Sequence, residues 1–262
     1  MNGNDAKTLV LQERDLRLFR ELAVLRVADR ELAKLAAGFI STTRVNVRLL
    51  ALVRAGLLRR FFFGTKAGGR SALYALTPKA AALVQVPVRG PRRRNGEPLT
   101  ADFFVDHQLK INRFYCSLKF TRIPLHGVRF VQWKTFEKPL TGDLRLIPDG
   151  YVELDTPAGP LTAFFEVDLG HESQKVWREK INRYLQFALS GEYERQFGKP
   201  RFRVLVITNS ERRLRSIRSV AASLTGKIFS FASLPEIDSQ GFFGPIWSRP
   251  RSDAKEGLIR TP

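Results

Sequence analysis

Between Gln85 and Asp102 the run "QVPVRGPRRRNGEPLTAD" combines three prolines, two glycines and three consecutive arginines. No helix or strand can be built from that composition, so the run divides the chain and each side must find its own core. The 262 residues, 44% of them hydrophobic, suffice for two such cores. The reading is an amino-terminal domain at 10–86, a basic Pro/Gly-rich linker at 87–101 and a carboxy-terminal domain at 102–250. Arg92, Arg93 and Arg94 either add non-specific phosphate contacts or are solvated linker charges.

The formal net charge is +19. So large a basic excess points to a polyanionic partner, and double-stranded DNA is the leading candidate. Residues 1–100 carry 19 Lys plus Arg against 7 Asp plus Glu, and the rest carry 25 against 18, so phosphate binding should concentrate in the first domain. Cys116 is the only cysteine, which excludes an intramolecular disulfide and a cysteine-built zinc site. No apolar run approaches the roughly 20 residues that span a bilayer, and the start "MNGNDAKTLVLQERD" lacks a signal-peptide h-region. The expectation is a soluble, cytoplasmic protein with no membrane partner. No GxxxxGK[ST] motif or nucleophile elbow is present.

From Glu13, "ERDLRLFRELAVLR" sets Leu16, Phe19, Leu22 and Leu25 on one helical face. A second helix begins near Asp29, and a third follows in "STTRVNVRLLALVRAGLL". There Ser41 is the N-cap, Gly56 the stop, and Val45, Leu49, Leu52 and Val53 the buried stripe. Opposite that stripe lie Thr43, Val47 and Arg54, with Arg44, Asn46 and Arg48 flanking it. Small, amide and cationic groups of this kind suit a major groove. Two β-rich runs in "LLRRFFFGTKAGGRSALYALT" then enclose a Gly-rich turn, and the whole resembles a winged helix-turn-helix. Arg59, Arg60, Lys66 and Arg70 would reach flanking phosphates.

In the second domain a helix over 102–120 precedes a strand "VRFVQW". The runs "LIPDGYVEL" and "LTAFFEVDL" read as a strand pair around the turn chemistry of Thr156 to Pro160. A long helix, the buried strand "RFRVLVIT", the helix "ERRLRSIRSVAASL" and the strand "KIFSFASL" follow. The order predicts an α/β domain with a mixed sheet and helices on both faces. With a strand period of two, Glu166 and Asp168 project to one face, and Asp149 on the paired strand can join them.

The αβββαβ order, with "PDG" and "EVD" in successive strands, resembles the PD-(D/E)XK restriction-endonuclease-like fold. The winged helix together with "PDGYVEL … FFEVDLGHES … REKINRY" resembles the replication-relaxation family of plasmid and mobile-element proteins. The nuclease resemblance implies a Mg²⁺ site on Asp149, Glu166 and Asp168, with a Lys positioning the nucleophile. The chain departs from that motif because its lysine position is occupied by Asp168. Lys175 or Lys180 on the following helix would have to substitute, and Lys180 is preferred because Tyr184 and Trp177 share its face. The other reading has the three acids paired with Arg or Lys in a degenerate, non-cutting domain. His107 and His171 are weaker site candidates.

Three functions compete on this footing. One is a DNA-binding protein acting in replication, relaxation or its regulation. The second is a Mg²⁺-dependent endonuclease using Asp149, Glu166, Asp168 and Lys180. The third is a transcriptional regulator or module docking a replication or conjugation protein, with Phe242, Phe243 and Trp247 in "QGFFGPIWSRP" either serving as a docking tail or, as is commoner, packing back onto the sheet. A homodimer is compatible with each, although no symmetric feature specifies it.

Overall fold

The structure, a computed structural model, describes residues 9–64, 70–88 and 103–259. Lys66, Arg92, Arg93, Arg94 and most of the predicted linker lie outside the described residues, as does the side chain of Arg70. Two compact units make up the chain, residues 1–121 and 122–262.

The first unit runs α1 (Glu13–Leu25), β1 (Ala28–Asp29), α2 (Arg30–Ala37), α3 (Thr42–Arg54), β2 (Leu58–Gly64), β3 (Arg70–Leu76), α4 (Pro78–Leu83) and α5 (Phe103–Phe120). Local signals set the boundaries. Asp29 caps α2 through Leu32 N at 2.8 Å, Ser41 caps α3 through Arg44 N, and Gly56 turns the chain out of α3 at φ 70°. The axes of α2 and α3 turn by 96°. β1, β3 and β2 form an antiparallel sheet in that order. The two-residue β1 escaped the sequence reading because its pairing with Tyr74 and Leu73 is entirely non-local.

Leu18, Phe19, Leu22 and Leu25 of α1 are buried with Val45, Leu49 and Leu52 of α3. Leu16 and Val53, expected in the stripe, are only half-buried. α5, expected to open the second domain, instead packs within the first unit. Its Asn112 side chain donates to Leu25 O at 2.8 Å and Val27 O at 2.7 Å, satisfying carbonyls on either side of Arg26, whose φ is 64°. Tyr115 Oη and Lys119 Nζ both donate to Glu21, at 2.5 and 2.7 Å.

The second unit contains β4 (Arg129–Lys134), β5 (Gly150–Asp155), β6 (Leu161–Asp168), α6 (Gln174–Leu189), α7 (Glu192–Phe197), β7 (Arg203–Thr208), α8 (Glu211–Leu224), β8 (Phe229–Ser233), α9 (Leu234–Gln240), β9 (Trp247–Arg249) and β10 (Ser252–Glu256). Seven strands form one mixed sheet in the order β10-β9-β8-β7-β6-β5-β4. β6, β7 and β8 are parallel and the outer pairings antiparallel. Adding β10 carries the fold beyond residue 250.

One face of the sheet, including Tyr151, Phe164, Val206 and Phe231, is covered by Trp177, Ile181, Tyr184 and Phe187 of α6 and by Leu214, Ile217 and Ala221 of α8. On Phe165, whose side chain alternates to the opposite face, lie Trp133 and a stacked Phe242, at 5.0 and 5.8 Å between ring centroids. Trp247 is buried and its indole donates to Phe242 O at 2.8 Å. The aromatic segment thus packs onto its own sheet, the commoner of its two expected placements, and not out as a docking tail. It also supplies an aromatic cover in the unit where helices were expected on both faces.

Candidate functional site

The first unit presents a chemically mixed face on α3. Thr43, Arg44, Asn46, Val47 and Arg54 are exposed, and Val47 is 66% exposed although it is apolar. A shallow cavity of about 370 Å³ beside it is lined by Arg14, Phe39, Thr43, Arg44, Val47 and Ala51. Arg59 and Arg60 at the start of β2 are also exposed.

Arg48 also lines that cavity, but its guanidinium is engaged by protein groups. Its guanidinium donates from Nε to Asp15 Oδ1 at 2.9 Å, from Nη2 to Asp15 Oδ2, and to Val10 O at 2.7 Å. Asp15 is fully buried, so Arg48 supplies the opposite charge that a buried carboxylate needs beside it. The alternation of the helix placed Arg48 on the flank, but only the approach of α1 decided that the flank faces protein.

In the second unit the carboxylates separate into two networks. Asp168, at the end of β6, is 3% exposed, and its oxygens accept four hydrogen bonds. Oδ1 receives Gly170 N at 2.7 Å and Arg213 Nε at 2.8 Å. Oδ2 receives Trp177 Nε1 at 2.7 Å and Arg213 Nη2 at 2.8 Å. Burial raises its pKa, but the bidentate guanidinium, the indole and the Gly170 amide outweigh that and hold it below the usual carboxylate range.

Glu166, two residues earlier and 1% exposed, accepts from Tyr184 Oη at 2.5 Å and from Lys180 Nζ at 3.0 Å. Lys180 also donates to both oxygens of Glu172, at 2.9 and 3.0 Å, and its ammonium lies 4.8 Å from the centre of the Trp177 ring. Burial raises the Glu166 pKa to about 7, with Asp149 adding to the effect and Lys180 and Tyr184 opposing it. Burial acts against the Lys180 ammonium, yet Glu166, Glu172 and Asp149 together raise its pKa. Asp149 sits just before β5, where its carboxylate accepts from Val167 N at 2.8 Å and its own N–H donates to Phe165 O at 3.1 Å.

Lys180 therefore stands on Glu166, and Tyr184 joins it from the next turn of α6. Asp168 faces Arg213 instead. Among the described residues no group of three or more His, Cys, Asp or Glu is placed to hold a metal ion. The Asp168 oxygens already accept from four donors, so the predicted triad does not fit Mg²⁺ as a donor set. Lys175 and His171 are exposed, and His107 is half-buried on α5 in the first unit.

The sequence reading missed Arg213, which looks like one basic residue among several in "ERRLRSIR". Its place in the first turn of α8, after the strand parallel to β6, carries the only hint. Parallel strands put their carboxyl ends beside the starts of the returning helices, which brings Arg213 to Asp168 across 45 positions.

No single helix among the described residues is long and apolar enough to cross a membrane. No curated protein and no solved structure matches the chain. The sequence profile of the replication-relaxation family matches residues 16–200, more than half of the chain, a span that includes the α3 face, Asp149, Glu166, Asp168 and Lys180 but not Arg213. The chain belongs to the replication-relaxation family.

Proposed function

We propose that this protein binds double-stranded DNA through a winged helix-turn-helix formed by α1 to β3, and acts in the cytoplasm in replication or relaxation of a plasmid or mobile element. The observation that carries the reading is the solvent-facing set Thr43, Arg44, Asn46 and Val47 on α3, the second helix of a near-perpendicular pair followed directly by a β-hairpin. Arg offers two donors to the guanine edge, Asn a donor and an acceptor to the adenine edge, and Val and Thr methyls complement the thymine methyl. The basic excess of residues 1–100 supplies the sequence-independent attraction. Binding of a cognate site and of random DNA, compared for the native chain and an Arg44→Ala/Asn46→Ala variant, tests it. Site preference should vanish while salt-sensitive binding persists, and an unchanged preference defeats the reading.

In this reading the α/β unit is a non-cutting relative of the PD-(D/E)XK fold, held together by the Asp168–Arg213 pair and available to a replication or conjugation partner. A homodimer on DNA is compatible with it. One observation favours the endonuclease reading instead: the Lys180 ammonium, 3.0 Å from Glu166, replaces the lysine the motif lacks. Incubating supercoiled plasmid with Mg²⁺ or Mn²⁺ separates the two. Nicking lost in both Asp149→Ala and Glu166→Gln supports cutting, and intact plasmid with undiminished binding supports the non-cutting form.

A further inference from the structure

The β2–β3 hairpin carries aromatic chemistry that a phosphate-contacting wing does not need. β2 lies at one side of its sheet, paired only with β3 among the described residues. On one face of the strand the Arg60 guanidinium lies 5.1 Å from the centre of the Phe62 ring. On the other, Arg59 lies 5.5 Å from Phe61, with Phe63 two residues further. The strand period of two thus places a cation beside a ring on each face. Phe62 is 54% exposed. An exposed ring on an open strand edge invites association, and here a guanidinium is kept over it.

We propose that this hairpin holds an unstacked base of opened DNA against Phe62, with Arg60 beside it contacting the strand's phosphate. Aromatic faces flanked by cations are the chemistry that binds unpaired strands, because every nucleobase has a π-face and every nucleotide a charge. Intact duplex offers no free base face to such a ring. A second copy of the chain is a poor occupant, since the net charge of residues 1–100 is strongly positive and would repel itself. The hairpin follows α3 after only the turn Ala55–Leu57, so both elements meet the same stretch of DNA. The inference rests on the DNA-binding reading above and adds to it the recognition of a locally opened site.

The test uses the full chain with a paired duplex and the same duplex carrying a short mismatched bubble that contains 2-aminopurine. Native protein should bind the bubble more tightly and quench the probe. Phe62→Ala should weaken bubble binding on the order of tenfold and abolish quenching, while changing paired-duplex binding less than about twofold. Phe62→Trp should keep the preference. Equal loss on both DNAs, an undiminished preference in Phe62→Ala, loss in Phe62→Trp, or a dimer that Phe62→Ala dissociates overturns the proposal. Salt-dependent binding of paired DNA without bubble preference defeats this inference alone. Binding to neither DNA defeats the DNA-binding reading with it.

Discussion

Asp168 and Arg213 face each other through two parallel hydrogen bonds of 2.8 Å, with the acid buried in the sheet and the guanidinium reaching it from the first turn of α8. The acid in the position where the motif would have lysine thus has both oxygens engaged by protein donors. Removing one partner leaves a buried charge uncompensated. Arg213→Ala should cost about 3–5 kcal/mol in chemical denaturation, and Asp168→Asn/Arg213→Met markedly less than the sum of its single changes.

Glu166 should give the stability a distinctive pH dependence. Its pKa in the folded chain, about 7, lies above its ordinary value of 4.5. The folded state therefore binds the proton more tightly than the unfolded state. This group's stabilising contribution is complete below about pH 4.5 and is lost as pH rises towards 7. A Glu166→Gln variant should lack that decline. Melting temperatures measured across this window check it, and parallel profiles for the two proteins would contradict the assignment.

Arg44 and Arg48, four residues apart on α3, should behave oppositely. Arg48→Ala strands the buried Asp15 and should lower stability by about 3 kcal/mol or more. Arg44→Ala removes an exposed side chain and should leave the melting temperature nearly unchanged, while weakening cognate-site binding by about 1–3 kcal/mol and relaxing site preference. Denaturation of both variants and their binding to cognate and random DNA make the comparison.

Gly150 has no room for a side chain. A methyl group there would meet the Trp133 ring at 2.2 Å, because the indole lies across the start of β5. Gly150→Ala should destabilise by about 1–3 kcal/mol through overpacking, and Trp133→Leu should recover part of the loss when the two are combined. Calorimetry of the three variants tests whether steric conflict with the indole is the cause.

Much of the local structure was legible from residues close in the chain. Asp29, Ser41 and Gly56 marked the helix ends, and the alternation in "LTAFFEVD" placed Glu166 and Asp168 on one face. Lys180 and Tyr184 were readable as neighbours of that face through their four-residue spacing on α6. Arg213 was not, because nothing within its own helix distinguishes it from Arg212 or Arg215. The two-residue β1 and the packing of α5 onto the first unit depend on partners tens of residues away.

The sequence by itself therefore determined the periodicities of the elements and which side chains each element could present to a site, whereas the division between the units falls after α5 and not in the Pro/Gly-rich run before it. Only the tertiary structure decided which charges meet. Helix and strand periods specify a direction for a side chain relative to its own backbone, whereas the pairing of Asp168 with Arg213, of Glu166 with Lys180 and of Asp15 with Arg48 depends on how separate elements close together. Burial then makes each pairing obligatory, since a lone charge in those positions would be too costly to keep.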